Sequence, residues 1–340
     1  MAQEERQIVL ISGVNGYIAA QVAKAFLDAG FKVRGTSRST ENTKPLTEGP
    51  LKAAFEAGDF EVAEVPDITI PGAFDEAVKG VTAILHTAAP VSLSFTDPEP
   101  VMYAAIQGTS SILNSALSAG SQLKSVVFMS SIAAVRGAQQ PPYTFTEQDW
   151  NNYSEGEVNR LGKEASSIHI YFASKTAGER TLWEFQKQHT PSFAVTAINP
   201  VLVTGPPLVA PKDSKKVGET VRNVWEVLSG QDITPPFDGP GNYVDVRDVA
   251  RLFVWAVEHP EKANGERYIA SSGLGSGNKI AAILREHYPD RRDIIKDYPA
   301  GQQQPGYEID ASKAVKATGQ AFIPYERSVL DAAKSFEVYL

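Results

Sequence analysis

Through its first two hundred residues the chain alternates short β-rich runs with longer helical patterns, and this alternation limits what it can fold into. Six strands are expected, at Gln7–Ser12 (QIVLIS), Phe31–Ser37, Phe60–Val65, Val81–Thr87, Ser125–Ser131 and Phe193–Asn199. Helical periodicity lies between them, as in AAQVAKAFLDAG, PVMYAAIQGTSSILNSAL and YFASKTAGERTLWEFQKQH. Strands joined through helices need right-handed crossovers, so the expectation is a mostly parallel, doubly wound α/β sheet. Such sheets bind ligands at the carboxyl ends of their strands.

After Pro200 the rhythm loosens into Pro- and Gly-rich stretches, GPPLVAPKD and TPPFDGPGN. Helices are expected beyond them in VGETVRNVWEVLSG, VRDVARLFVWAVEHP and GSGNKIAAILREHY. We therefore expect residues 1–200 to form a Rossmann-type nucleotide-binding domain carrying the catalytic groups. Residues 201–340 would form mainly a smaller C-terminal α/β substrate subdomain over the open edge of the sheet, with about 240–260 returning to the core. The sequence shows no internal repeat and no long low-complexity segment.

The stretch LISGVNGYIAA spaces Gly13, Gly16 and Ala19 three apart, directly after the first strand and at the opening of a helix. In a strand–turn–helix unit the first glycine permits a tight turn and the second lets main chain approach a pyrophosphate. The third small residue lets helix pack on strand. The helix N-terminus then offers unpaired N–H groups and partial positive charge to the anion. Asn15, Tyr17 and Ile18 complete the expected cofactor-facing turn. Glycines kept only for helix packing are the alternative.

The end of the second strand selects the dinucleotide. A carboxylate there would accept bonds from the adenine ribose and favour NAD. The chain instead has GTSRST, in which Ser37 and Arg38 can donate to a 2′-phosphate, Arg38 through its planar fork. This points to NADP(H), against the alternative of a solvated surface arginine. After the third strand, Asp67 and Ile68 are placed to hold the adenine ring, although Asp67 could equally cap a helix. Thr87, Ala88 and Ala89 end the fourth strand with small side chains where the cofactor backbone would pass.

Tyr171 and Lys175, at i and i+4, fall on one face of an expected helix. An ammonium so placed can acidify the phenol, which could then protonate a carbonyl oxygen as hydride arrives. The lysine can also donate to the nicotinamide ribose. Ser130 and Ser131 end the fifth strand, where a hydroxyl could orient the same oxygen; a strand-terminal turn is the alternative.

Composition removes several chemistries. With no cysteine there is no disulfide, thiolate site or cysteine nucleophile. His86, His169, His189, His259 and His287 show no metal-ligand spacing, and there is no G-x-S-x-G elbow. A net charge of −8 argues against a nucleic-acid or anionic-membrane binder. The polar start MAQEERQ and the absence of a long apolar run lead us to expect a cytoplasmic protein without membrane contact.

Taken in order, SGVNGYIA, SRS, HTAAP, VVFMSSIAAV, YFASKTAGERTLWEF, NPVLVTGP and YVDVRDVA resemble the short-chain dehydrogenases/reductases, in their extended, atypical branch. The likeness is strongest to fungal NADPH-dependent aldehyde, ketone and methylglyoxal reductases and more distant to dihydroflavonol reductases. It implies Ser131, Tyr171 and Lys175 as the catalytic set, Ser131 rather than Ser130, and backbone contacts from Pro200 and Val203 to the nicotinamide. It also implies reduction of a small carbonyl substrate, an aldehyde, ketone or ketoester, by a monomer or homodimer. A nucleotide-sugar epimerase or dehydratase of the same fold, or a non-catalytic dinucleotide sensor, is the rival reading. One departure is Gln107, in YAAIQGT, where many members carry an asparagine that orders a relay water. Val91, Leu93 and Phe95, just past HTAAP, are expected to line the substrate pocket together with Ser131 and Tyr171. The segment from Gly137 to Arg160 reads as a lid lined by Tyr143 or Trp150, or as a surface loop anchored by them. Trp183 reads as core packing.

Overall fold

The expected strands form, and further ones join them. A computed structural model describes residues 6–89, 92, 94–235, 241–298 and 306–340. In chain order the strands are β1 (Ile8–Ile11), β2 (Lys32–Ser37), β3 (Phe60–Glu64), β4 (Ala83–His86), β5 (Ser125–Met129), β6 (Tyr143–Phe145) and β7 (Ala194–Pro200). There follow β8 (Leu202–Thr204), β9 (Gly241–Asp245), β10 (Glu266–Ala270), β11 (Gly273–Gly275) and β12 (Tyr307–Ile309). The helices are α1 (Tyr17–Asp28), α2 (Lys44–Thr47), α3 (Lys52–Glu56), α4 (Pro98–Ser118), α5 (Asn152–Leu161) and α6 (Ser167–His189). After them come α7 (Arg222–Ser229), α8 (Val246–Glu258), α9 (Pro260–Ala263), α10 (Gly277–His287), α11 (Ser312–Thr318) and α12 (Tyr325–Phe336).

The main sheet has the order β10-β7-β5-β4-β1-β2-β3, with every neighbouring pair parallel. The order turns around between β1 and β4, which opens a crevice at their carboxyl ends. Alternation along the strands divides the apolar side chains between two faces. Val9, Ile11, Leu85 and Val127 pack under α1 and α8, against Phe26 and Phe253. Leu10, Ile84 and Val126 pack under α4 and α6, against Ile112, Leu182 and Phe185. Phe26 and Phe253 have no exposed surface, and burying each contributes about 1.5–3 kcal/mol relative to leaving it in water.

The sequence left β10 unnoticed, although it extends the sheet beyond β7. Its run ERYIA is broken by Glu266 and Arg267, so it lacks the apolar continuity expected of a central parallel strand. The main sheet therefore draws on residues 266–270 as well as on α8. Separately, β8, β9 and β11 form a small mixed sheet, while α7, α10 and α12 enclose a core of their own around Trp225, Leu228, Leu284 and Phe336. Arg247 ties this unit to the sheet. Asp245 caps α8 and pairs with the Arg247 guanidinium, which also reaches Asp331 on α12 at 2.7 Å.

The segment read as a lid is held down by its aromatics, in line with the alternative reading. β6 pairs in parallel with β12, and the Tyr143 hydroxyl donates to Asp149. The Trp150 ring lies between the guanidinium groups of Arg180 and Arg267, 4.7 and 4.1 Å from its centre. Trp183 packs on the α4–α6 side and donates to Glu179 at 3.1 Å. Among the described residues no helix is long and apolar enough to cross a membrane.

Candidate functional site

Because the strands are parallel, the turns after β1, β2, β3, β4, β5 and β7 all open on one edge of the sheet, and the sequence-picked residues sit in those turns. Gly13 has φ +68°, and a side chain there would come within 3.2 Å of the Ala88 backbone. Glycine is thus required at that position for both conformation and space. Val14 presses on β2 so closely that a Cβ on Gly35 would lie 2.5 Å from its Cγ1. Gly16 caps α1, which has neither a side-chain cap nor an acidic residue in its first turn. Its first N–H groups are therefore left for an anion.

Ser12 welds β1 to β4. Its hydroxyl accepts from the backbone N–H groups of Thr87 and Ala88, both at 2.9 Å, and lies 2.9 Å from His86 Nδ1. With both lone pairs used, its single proton goes to Nδ1, which assigns His86 as the neutral Nε2–H tautomer. Burial pushes the His86 imidazole down to about 3, and the charge of Lys175 adds to the effect. His86 is thus a neutral structural group beneath the cofactor turn.

At the end of β2, Ser37 is buried and donates to Asn15 at 3.2 Å, while Arg38 is exposed. Asp67 starts a turn rather than a helix: its carboxylate accepts from the Thr69 amide and hydroxyl, which hold it below the usual carboxylate range. Ile68 packs on α4, where a Cβ on Gly108 would come within 2.8 Å of it. The side chain of Tyr17 is committed elsewhere. Its hydroxyl donates to the Gly205 carbonyl at 2.8 Å, which leaves only its backbone at the helix start for the cofactor.

Ser131 follows β5 and caps a short turn, accepting from the Ala133 amide at 3.1 Å. Helix α6 begins at Ser167, four residues earlier than expected, which puts Tyr171 in its second turn and Lys175 one turn on. The Lys175 ammonium lies 5.9 Å from the centre of the Tyr171 ring. Burial raises the Tyr171 phenol above its ordinary value, a hydrogen bond with Ser131 works the other way, and the Glu219 carboxylate raises it again. The expected acidification of the phenol is therefore not found. Burial also lowers Lys175, to about 8.

Behind this pair lies a group the sequence analysis missed. Glu179, fully buried, stands four residues beyond Lys175 on α6. Its carboxylate accepts from Ser130 Oγ at 2.5 Å, Asn199 Nδ2 at 2.7 Å and Arg267 Nε at 2.6 Å. Asn199 Nδ2 also donates to the Ser131 carbonyl at 3.2 Å. Ser131 is thus set from below by three elements, α6, β7 and β10. The available signal was the stripe Tyr171, Lys175, Glu179, an i+4 series that places a second charge on the same helix face.

Ser131 and Tyr171 open onto a cleft of about 300 Å³ between the sheet and the C-terminal unit. Ile132, Phe172, Val201 and Leu202 supply apolar wall, and Thr204, Glu219 and Asn223 supply polar wall. Pro200 ends β7, paired with Ala270, and Val203 turns its side chain into the core while its neighbours Leu202 and Thr204 face the cleft. Phe95, expected on the substrate wall, packs instead with Val101, Val158 and Ile170 between α4, α5 and α6. Val91 and Leu93 lie outside the described residues. A second, smaller cavity of about 20 Å³ lies beside Lys175, lined by His86, Thr109, Phe128 and Ser174, and Gln107 is not part of its lining.

The arrangement is an anion-binding turn and a basic strand end at one side of a crevice, with a hydroxyl, a phenol and an ammonium at the other. A nicotinamide dinucleotide fits these groups along its length. The chain matches the model of the NAD dependent epimerase/dehydratase family over residues 9–270. It is 33% identical to a putative oxidoreductase of Schizosaccharomyces pombe, over 96% of each chain. It is 32% identical to the NADPH-dependent methylglyoxal reductase of Saccharomyces cerevisiae, again over 96% of each. The crystal structure of yeast methylglyoxal/isovaleraldehyde reductase complexed with NADPH superposes with a TM-score of 0.82 at 28% identity, covering 98% of this chain and 99% of that one. The chain belongs to the NAD dependent epimerase/dehydratase family, the extended branch of the short-chain dehydrogenases/reductases.

Proposed function

We propose that the protein is an NADPH-dependent carbonyl reductase, converting aldehydes or ketones, including ketoesters, to alcohols. The observation that carries this reading is the juxtaposition of Ser131, Tyr171 and Lys175 at the sheet edge that also bears the glycine turn and Arg38. Gly13 and the first-turn amides of α1 would hold the pyrophosphate, Ser37 and Arg38 the 2′-phosphate, Asp67 and Ile68 the adenine. Thr87 to Ala89, Lys175, and the backbone of Pro200 and Val203 would hold the nicotinamide half. Bound NADPH supplies the hydride. Ser131 donates a hydrogen bond to the carbonyl oxygen and fixes it beside Tyr171, whose phenol proton passes to that oxygen as charge develops on it. Lys175, charged below about pH 8, grips the ribose and stabilises the phenolate left behind.

The yeast relative's NADPH dependence supports the choice of cofactor. A sugar epimerase or dehydratase, which shares the fold, keeps its NAD bound. The Ser37–Arg38 strand end, without a carboxylate, speaks against that. The reading carries with it a cytoplasmic setting and a monomer or homodimer, the latter checked by light scattering on the purified chain.

The test is initial-rate NADPH oxidation against aldehydes, ketones and ketoesters, with NADH and a Tyr171→Phe variant in parallel. Expected are turnover with NADPH, far less with NADH, and a loss of about a hundredfold or more in kcat in the variant with NADPH affinity retained. A Tyr171→Phe enzyme with wild-type kcat would refute the assignment.

A further inference from the structure

We propose that Arg136 makes the catalytic cleft selective for carbonyl substrates with a negatively charged group several bonds from the carbonyl, that is, oxo acids with a remote carboxylate. The inference rests on the reductase reading and deepens it by naming the substrate class.

Arg136 lines the cleft that holds Ser131 and Tyr171, and it is exposed, so a ligand in the cleft can reach it. Its place follows from the turn that Ser131 starts. Ser131 caps Ile132–Ala134, and the Arg136 amide donates to the Ile132 carbonyl at 2.8 Å. Arg136 therefore stands one turn beyond Ile132, and both residues meet the same cleft. The guanidinium lies 5.8 Å from the centre of the Tyr307 ring. That ring is itself fixed: its hydroxyl donates to the Gln139 carbonyl at 2.5 Å, and Phe145 stacks against it with centroids 6.0 Å apart. A cation resting on a fixed ring takes up a limited range of positions, which lowers the ordering cost of binding an anion. The guanidinium has five N–H donors in a planar fork, enough to take a carboxylate in two parallel bonds beside its other contacts.

Glu219 sets where that anion can sit. Among the described residues, Arg136 and Glu219 are the charged side chains on the cleft wall. It is the Glu219 carboxylate, not the guanidinium, whose charge acts on the Tyr171 phenol. A 2-oxo acid with its carbonyl at Ser131 and Tyr171 would hold its carboxylate at that end of the cleft and be repelled. Arg136 stands five residues beyond Ser131, more than one helical turn, so an anion paired with it lies several bonds from the carbonyl. Ile132, Val201, Leu202 and Phe172 give the cleft an apolar wall, which suits an uncharged spacer. A cationic substituent drawn to Glu219 would instead sit in the field of the Lys175 ammonium, which lies 5.9 Å from the Tyr171 ring centre. The matching substrate is therefore a carbonyl, a hydrocarbon spacer and a terminal carboxylate.

The experiment compares kcat/KM, with NADPH, for oxo acids against their methyl esters: pyruvate, levulinate and the levulinate homologue with two more methylenes. A trimethylammonium ketone of matching length is run beside them. The wild type is expected to prefer the acid over the ester by about fivefold for levulinate or its homologue, the upper end for an ion pair in contact with solvent. Pyruvate should show no such preference. Arg136→Met should bring the ratio to one or below, and Arg136→Lys should keep part of it. The ratio is internal to each variant, so a general loss of activity does not disturb it. A wild-type ratio at or below one for both longer acids overturns the proposal, as does a ratio that survives in Arg136→Met or an equal preference with pyruvate. So does faster turnover of the ammonium ketone, which would give the cleft to Glu219, and so does a weakened NADPH affinity in Arg136→Met, which would give the guanidinium to the cofactor. If no carbonyl compound turns over at all, the reductase reading fails separately. The subsite is then read from saturation-transfer NMR of the same pairs on the NADPH-loaded protein. Preferential binding of the longer acids that disappears in Arg136→Met supports it, and indifference overturns it.

Discussion

Replacing Glu179 with alanine tests whether the buried network beneath Ser131 holds the site together. The substitution removes an ion pair whose carboxylate is fully buried and whose guanidinium, on Arg267, is 8% exposed, with a 2.6 Å contact between them. It also strands donors on Ser130, Asn199 and Trp183. Deleting one partner of a buried pair costs about 3–5 kcal/mol, because the other charge remains without compensation. Unfolding entropy of ~2.1 cal/mol/K per residue gives about 0.7 kcal/mol/K for this chain, so Tm should fall by about 4–7 °C. Calorimetry measures that, and kcat should fall with it, since Ser131 loses the support passed through Ser130 and Asn199. The double variant Glu179→Leu with Arg267→Met removes both charges and should be less damaged than the two single changes combined, by about 1–3 kcal/mol. A shift below about 1 °C in Glu179→Ala, or strict additivity in the double variant, would show that the pair is not what fixes β10 and Ser131 to α6.

Three further outcomes follow from the geometry. Arg38→Asp should weaken NADPH binding by tenfold or more while leaving or improving NADH binding, by fluorescence titration; equal losses would remove Arg38 from the 2′-phosphate site. His86 is held at about 3 in the folded chain against an ordinary 6.5, so below pH 6.5 the unfolded chain takes up a proton that the folded one refuses. Stability should fall by up to about 1.4 kcal/mol per unit as pH drops from 6.5 towards 3, and urea midpoints for His86→Phe should show a shallower pH slope than wild type. Because the Tyr171 phenol is raised, alcohol oxidation, which needs the phenolate, should rise steadily with pH above neutrality while carbonyl reduction stays level until Lys175 begins to lose its proton near pH 8; an oxidation rate flat from pH 7 to about 9 would contradict it.

How far each part could be read from the residues depended on whether its signal was local. Strands β1, β4, β5 and β7 are buried on both faces and so appear as short, mainly apolar runs. The glycine turn was legible because backbone geometry at Gly13 leaves little choice of residue. By contrast β10 carries Arg267 at its second position, and that arginine is buried where Glu179, 88 positions earlier, receives it. Nothing within ERYIA announces such a partner. Phe95 illustrates the opposite failure: an aromatic near the cofactor loop suggests a pocket wall, but whether it faces the cleft or the gap between α4 and α5 is decided by how those helices pack. Trp150 likewise owes its place to two arginines from α6 and β10.

The direction in which the Tyr171 phenol moves bears on what the site is built to do. An i+4 lysine suggested an acidified phenol, yet desolvation and Glu219 outweigh the hydrogen bond from Ser131. A proton donor for carbonyl reduction has no need of a low pKa. As the carbonyl carbon takes up hydride, its oxygen turns into an alkoxide, a stronger base than a phenolate, so transfer from even a raised phenol runs downhill. What such a donor does require is to hold its proton at neutral pH until that moment, and burial secures this. The lysine, lowered by the same burial to about 8, remains charged at neutral pH and is positioned to offset the phenolate once it forms. Desolvation, which sets these two groups against their ordinary values in opposite directions, therefore favours the protonated phenol that reduction needs over the phenolate that oxidation needs at neutral pH.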